Sequence, residues 1–349
     1  MTSDQAFKQY LNGFRAGMLR KIPRSDAVLS FCGKNTHQIQ WLERAIDFYG
    51  RHIVVEYCNP KPQELPGNVE WIVNSSDNMP EVDNNSCDLL FCGDAFEQLW
   101  LDQVEGFLTE AWRVLQPEGR LILEGPNRPV IAEQWWTLPQ YMLELTVEEA
   151  KSLLTVAGFE VVLCKGLWLS RDHNGVPILP MPENEASAAE RLIGGVDAPD
   201  SSLIWWIEAV RASRAPNVSQ MRTLLSEISN TAWPERLSRF SSNVGIKTKD
   251  GAIVTKYGQS GFVLFGPYVA LHAGRYRAEM DIDVLGSGVI AIADIATHLG
   301  VIDTQEIHFS KRVRFDFMLP ETTLGFEFRV QATGSGSVCV NSKLSLVAI

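Results

Sequence analysis

"CDLLFCGDAFEQLWLDQVEGFLTEAWRVLQPEGRLILEGPNRP", Cys87 to Pro129, holds two short apolar runs with a helical stretch between them. "CDLLFCG" and "GRLILEG" are apolar almost throughout, as strands covered on both faces must be. "LDQVEGFLTEAWRVL" reads as the helix that carries the chain from one to the other. Strand, helix, strand at this length is the repeating unit of a parallel sheet.

Working outward, the same alternation runs from about residue 26 to 212. "AVLSF", a helix around "IQWLERAIDFYG", "HIVVEYC" and "VEWIVNSS" come before the segment. The helix "TVEEAKSLLTVAG" and the strands "EVVLCKGLWLS" and "LIWWIEAVRAS" come after it. The expected fold is α/β, a doubly wound, mostly parallel sheet with helices on both faces. Residues 171–201, rich in Pro, Gly, Asn and acids, read as an irregular insertion. Residues 1–25 read as an N-terminal amphipathic helix, and 213–240 as a helical connector. From 241 to 349 the period changes. Short strands punctuated by glycines alternate apolar and charged residues, as in "RVRFDFML" and "GFEFRVQA", which predicts an all-β sandwich or jelly roll.

The 349 residues suffice for two such domains, and 45% hydrophobic with 21% charged is a soluble composition. A formal charge of -11 disfavours nucleic acid and anionic membrane surfaces as partners. The sequence has no apolar run long enough to span a bilayer, and its first residues lack a signal core, so a cytoplasmic protein is expected. Six cysteines without a C-x-x-C pair predict buried free thiols in a reducing compartment. Six histidines without ligand spacing predict no metal site.

The opening segment resembles the class I S-adenosylmethionine-dependent methyltransferases. Asp88 opens the fourth strand, "EQL" at Glu97 to Leu99 follows it, and "RVLQPEG" at Arg113 to Gly119 precedes the fifth. "LTVEEAKSLLTVAGFEVV" matches the family's later helix and strand. The resemblance covers about residues 26 to 212 and implies a Rossmann-like fold binding S-adenosylmethionine. Such a sheet binds its ligand outside the carboxyl ends of the strands, where strand order reverses. The resemblance implies cofactor contacts at Ser30, Cys32, Gly33, Glu56, Ser76, Asp77 and Asp94, with Glu56 accepting the ribose hydroxyls. Asp94 is the candidate catalytic base, and its alternative is a cap on the following helix. In the loop after strand five, Asn127 and Arg128 are candidate substrate contacts, with Glu124 beside them. His37 reads as a surface residue.

The first loop departs from the family's E/D-x-G-x-G-x-G. In "SFCGKNT", Ser30 stands where the leading acid belongs and Gly33 is the one glycine, with Lys34 and Asn35 adding side chains. The second half resembles, more loosely, carbohydrate-binding-like sandwiches on bacterial polysaccharide-assembly enzymes, through "GFVLFGPYVALHAGRYRAEMDI", Gly261 to Ile282. Tyr257, Phe265 and Tyr268, with Trp233, are the aromatic candidates for sugar contact. The leading expectation is therefore a methyltransferase acting on a sugar or glycan acceptor in surface-polysaccharide synthesis, with a glycosyltransferase or other polysaccharide-assembly protein as partner. A non-catalytic scaffold that binds glycan or a partner enzyme, and a nucleotide-sugar site in the same crevice, are its alternatives.

Overall fold

The computed structural model describes residues 3–32, 48–57, 60–61, 67–93, 95–133, 138, 140–178, 185–249 and 251–349. They form two compact units. One comprises residues 1–137 and 143–228, the other 138–142 and 229–349.

The first unit begins with α1 (Ser3–Leu19) and then lays down β1 (Ser25–Cys32), β2 (Phe48–Glu56), β3 (Val69–Val73) and β4 (Cys87–Gly93). After β4 come α2 (Leu101–Val114), β5 (Leu115–Pro126), α3 (Arg128–Glu133) and α4 (Val147–Val156). Then come β6 (Phe159–Leu169), α5 (Glu185–Gly195), β7 (Ser202–Arg211) and α6 (Val218–Arg236). The strands form one sheet in the order β3-β2-β1-β4-β5-β7-β6. β3, β2, β1, β4 and β5 run parallel, while β7 is antiparallel to both of its neighbours. The chain winds one way from β1 to β3 and the other way from β4 on, so strand order reverses between β1 and β4.

The helices form for reasons visible in the chain. On α2, Val104, Phe107, Leu108, Ala111 and Val114 are buried at the three- and four-residue spacing of one helical face. On α4, Thr146 accepts from the Glu149 amide and Glu149 reaches back to the Thr146 amide, a reciprocal cap at its first turn. Asp88 accepts the amides of Asp26 and Ala27 at 2.6 and 2.8 Å, fastening the start of β1 to the start of β4. The stretch at 171–201 is not irregular throughout. α5 lies within it, and Arg191 of α5 donates to the Leu169 and Ile178 carbonyls.

The second unit holds β8 (Ile246–Lys247), β9 (Ala252–Val254), β10 (Ser260–Leu264), β11 (Pro267–Leu271), β12 (Gly274–Gly286) and β13 (Ala291–Thr297). β14 (Gly300–Ile307), β15 (Lys311–Leu319), β16 (Thr323–Thr333), β17 (Gly336–Asn341) and β18 (Ser345–Ala348) complete it. One sheet runs β10-β16-β13-β14 with β11 also on β16, and the other runs β15-β12-β17-β9-β8 with β18 on β12. Their pairings are antiparallel. On β15, Val313, Phe315, Phe317 and Leu319 point into the core while Arg312, Arg314, Asp316 and Met318 point out. Phe315 meets Phe328 edge-on at 5.7 Å, and Phe317 stacks on Phe326 at 5.3 Å. The sandwich core is thus knitted from β15 and β16. The expected connector at 213–240 is largely one helix, α6, and the boundary between the units falls inside it.

Phe328 is fully buried, so Phe328→Ala removes its ring and leaves a cavity, at a cost of about 3–5 kcal/mol. Nine of the ten tryptophans precede residue 229. The loss should therefore appear as an earlier urea midpoint in β-sheet circular dichroism; an unchanged midpoint would contradict the core assignment.

Candidate functional site

The reversal between β1 and β4 fixes where a ligand crevice lies, outside the carboxyl ends of these strands. Glu56 closes β2 there and is 5% exposed. Its backbone carbonyl accepts from Asn74 at 3.0 Å, which holds the end of β2 against the loop after β3. A carboxylate so placed has the position and the acceptor chemistry for a pair of vicinal hydroxyls.

The loop after β3 is pinned from behind. Arg113, from "RVLQPEG", donates to the carbonyls of Met79 and Val82 and to the Asn84 side chain, and pairs with Glu110 at 2.7 Å. Glu110 in turn accepts the Met79 amide, and the hydrogen bond from Arg113 holds its carboxyl below the usual range. Within that loop the Ser75 hydroxyl donates to Asp77, and Asp77 lies against Gly106 of α2, where a methyl group would collide with it. Ser76 and Asp77 are both half-buried beside the crevice.

Ser30 is turned into the sheet. Its hydroxyl and the His52 Nε2 lie 2.8 Å apart across β1 and β2, and both residues are fully buried. Burial pushes the His52 imidazole down to about 4. Cys32 ends β1. Gly33, Lys34, Asn35, His37 and Asp94 lie outside the described residues.

The other side of the crevice is closed by a residue that sequence reasoning missed. Arg15 of α1 donates from Nε to Glu124 Oε2 at 2.8 Å, with side chains 5% and 2% exposed. Glu124 Oε1 lies where a side chain on Gly93 would go, 2.8 Å from the position of its first carbon. The glycine ending β4 therefore makes room for the carboxylate near the end of β5. A signal was present in the sequence. Phe7, Leu11, Met18 and Leu19 are buried along one face of α1, and Arg15 falls on that stripe. Phe7 also meets Trp168 of β6 edge-on at 4.7 Å.

Glu97 and Glu144 are buried at the same edge. The Leu143 amide donates to the Glu97 carbonyl at 3.0 Å, and Leu145 bridges to Asn127, so residues 143–145 run from the turn after β4 to the end of β5. Asn127 is committed to the protein itself. Its side-chain nitrogen faces the carbonyls of Pro199, Asp200 and Ser202 at 3.0 to 3.2 Å, tying the end of β5 to the start of β7. Arg128 pairs with Glu149 at 2.6 Å, joining α3 to the first turn of α4.

In the second unit, Phe265 and Tyr268 meet nearly perpendicular, centroids 6.5 Å apart, and Phe262 meets Phe265 at 6.0 Å. Tyr257 is 76% exposed on the loop before β10. Trp233, expected as a sugar contact, packs instead against the sandwich core. Among the described residues no group of His, Cys, Asp and Glu could hold a metal, and no helix is long and apolar enough to cross a membrane.

Residues 32–123 match the methyltransferase-domain family. The N-terminal unit has a Rossmann-like α/β fold with a mostly parallel seven-stranded sheet. A chain of the Haloferax volcanii complex of the Trm112 methyltransferase activator is similar over 59% of this chain and 91% of its own, at 16% identity and TM-score 0.45. A SAM-dependent methyltransferase from Archaeoglobus fulgidus is similar over 60% of this chain and 95% of its own, at 12% identity and TM-score 0.41. The Burkholderia thailandensis 1,6-didemethyltoxoflavin N1-methyltransferase, solved with S-adenosylhomocysteine, is similar over 58% of this chain and 79% of its own, at 14% identity and TM-score 0.39. No curated protein matches the chain.

Two outcomes follow from the buried groups. His52 stays neutral in the folded protein down to about pH 4, whereas in the unfolded chain it takes a proton near pH 6.5. Between those values the unfolded chain binds more protons, so stability is complete above about pH 7 and falls as pH drops, by about 2 kcal/mol at pH 5. Denaturant titrations at pH 7.5 and 5 should show this loss, and His52→Gln should remove it. Arg15→Ala leaves Glu124 buried without its cation, which costs about 3–5 kcal/mol. A loss in thermal or urea stability under 1 kcal/mol would mean that the pair is not closed in solution.

Proposed function

We propose that the N-terminal unit is an S-adenosylmethionine-dependent methyltransferase whose acceptor is a hydroxyl of a sugar or glycan. The observation that carries this reading is the set of groups at the β1/β4 reversal. Glu56 stands at the end of β2 on the cofactor side, and Glu124, held by Arg15, stands beside Gly93 on the other. The donor set fits the ribose part of the cofactor. A buried strand-end carboxylate accepts two hydroxyls in charge-assisted hydrogen bonds. Ser76 and Asp77, on the loop after β3, are the adenine contacts in this reading.

When bound, S-adenosylmethionine supplies an activated methyl group for in-line transfer. The chain's own work is to hold the acceptor oxygen in line and to take up its proton. Asp94, which follows Gly93 directly, is the base in this reading. The sugar class rests on the resemblance of the second half to carbohydrate-binding-like sandwiches, and an acidic chain, net charge -11, opposes an acceptor carrying phosphate. Surface-polysaccharide synthesis is the setting we propose, with the sandwich holding the glycan.

The non-catalytic alternative draws on one observation. The Ser30 hydroxyl is turned to His52, so no charge at position 30 faces the cofactor's ammonium group. Calorimetric titration of the full chain with S-adenosylhomocysteine separates the two. The methyltransferase reading expects measurable binding, weakened about tenfold or more by Glu56→Ala at unchanged stability, as the loss of a charge-assisted hydrogen bond requires. Absence of binding at millimolar ligand would leave only the scaffold.

A further inference from the structure

At the height where β2 ends, the first sheet carries a row of residues drawn from four strands. Phe31 lies beside Val55, so Cys32 falls beside Glu56. Cys32 lies beside Gly93, and Cys92 beside Leu123, so Gly93 falls beside Glu124. The row therefore reads Glu56, Cys32, Gly93, Glu124 across β2, β1, β4 and β5. Val55, Cys92 and Leu123, one residue back, belong to the core cluster that includes Phe107 of α2. Alternation along a strand then puts Glu56, Gly93 and Glu124 on the opposite face, the one that Arg15 of α1 reaches. Two carboxylates thus stand on one face at one height, three strand spacings or about 14 Å apart.

The Glu124 carboxylate is fixed in direction. Arg15 donates from Nε to Oε2, and from Nη1 to the Asn12 side chain at 3.1 Å, so the guanidinium is itself held on α1. Oε1 is the oxygen turned toward Gly93, the inner side of the row. Stability does not explain such a pair. Two charges withdrawn from water gain little or nothing over well-packed apolar side chains in their place. A carboxylate aimed along a ligand crevice suits a ligand that carries a cation.

We propose that Glu124 is the anion that receives the α-ammonium group of the cofactor's amino-acid tail, and that Arg15 is the positioning residue that holds its carboxylate toward Gly93. The inference rests on the methyltransferase reading above and adds to it the charge that is missing at position 30.

The other groups near the strand ends are committed elsewhere. The Ser30 hydroxyl meets His52, and Asp77 accepts the Ser75 hydroxyl. Glu110 holds Arg113 and the Met79 amide, and Asp88 is at the far end of β4 on the amides of Asp26 and Ala27. The separation within the row also suits the ligand. An extended tail spans about 10 Å from a ribose oxygen to the ammonium by bond lengths alone, and a hydrogen bond of about 2.8 Å at each end brings the total near that of the row. A ribose held at Glu56 therefore sends its tail over Cys32 and Gly93 toward Glu124.

The test titrates the full chain calorimetrically with S-adenosylhomocysteine and with its deamino analogue, which keeps the carboxylate and lacks the ammonium. Wild-type protein should bind the analogue about tenfold or more weakly, as the loss of one charge-assisted hydrogen bond requires. Glu124→Gln should lower the affinity for S-adenosylhomocysteine by a similar factor and leave that for the analogue unchanged, so that the two ligands bind alike. The unchanged analogue affinity also reports that the variant's site is folded. Arg15→Lys should narrow the gap between the ligands in the same way. If Glu124→Gln fails to fold, Glu124→Asp decides the matter. It keeps a charge opposite Arg15, draws it back by one carbon, and should weaken S-adenosylhomocysteine alone. Equal binding of the two ligands by wild-type protein, or a gap that survives the Glu124 variants, would overturn the inference and leave the methyltransferase reading standing. Binding of neither ligand at millimolar concentration would sink that reading and this inference with it.

Discussion

The parallel pairing of β1 with β4 is the constraint on which the first unit depends. Val28 to Cys32 lie beside Leu89 to Gly93, and Asp88 fixes the register by accepting the amides of Asp26 and Ala27. Once these strands are neighbours, β2 and β3 must extend the sheet on one side and β5 onward on the other. The crevice at their carboxyl ends follows from that winding alone. Residues from distant parts of the chain meet there: Arg15 pairs with Glu124, and Glu124 fits beside Gly93 because the glycine has no side chain.

Much of this was legible in the sequence. The apolar runs at Cys87–Gly93 and Gly119–Gly125 marked strands buried on both faces, and the alternation of "RVRFDFML" marked a strand with one wet face. These are local periodicities, which a chain displays without reference to its fold. Glu56 was legible for the same reason, as a single acid closing an apolar strand. The helix inside residues 171–201 was not. Its "EASAAERLIGG" is short and follows a Pro- and Asn-rich run that set the reading of the whole stretch.

The roles of individual polar residues in the site were less legible, because they depend on what lies across the sheet. Ser30 looked like a replacement for a cofactor contact, yet it meets His52 on the adjacent strand. Asn127 and Arg128 looked like loop residues free to touch substrate, and the structure shows them bonded to the β7 entry and to α4. No spacing rule reports a partner 75 residues away, such as Ser202 for Asn127. Arg15 was overlooked because a cation within an amphipathic helix reads as solvated until the stripe it sits on is known to be buried.

The Arg15–Glu124 pair also orders the assembly of the first unit in time. The two residues are 109 positions apart, so Arg15 leaves the ribosome long before its partner exists. α1 is 17 residues long, and a helix in a protein draws most of its stability from the packing of its apolar face. Its buried stripe and its guanidinium find no fixed counterpart until β5 has joined β4, and the closing of so long a loop is slow. α1 is synthesised before every strand of the sheet it packs on, and its ion pair closes only when β5 is in place. The carboxylate near the end of β5 thus takes its cation from a helix that precedes all seven strands of the sheet.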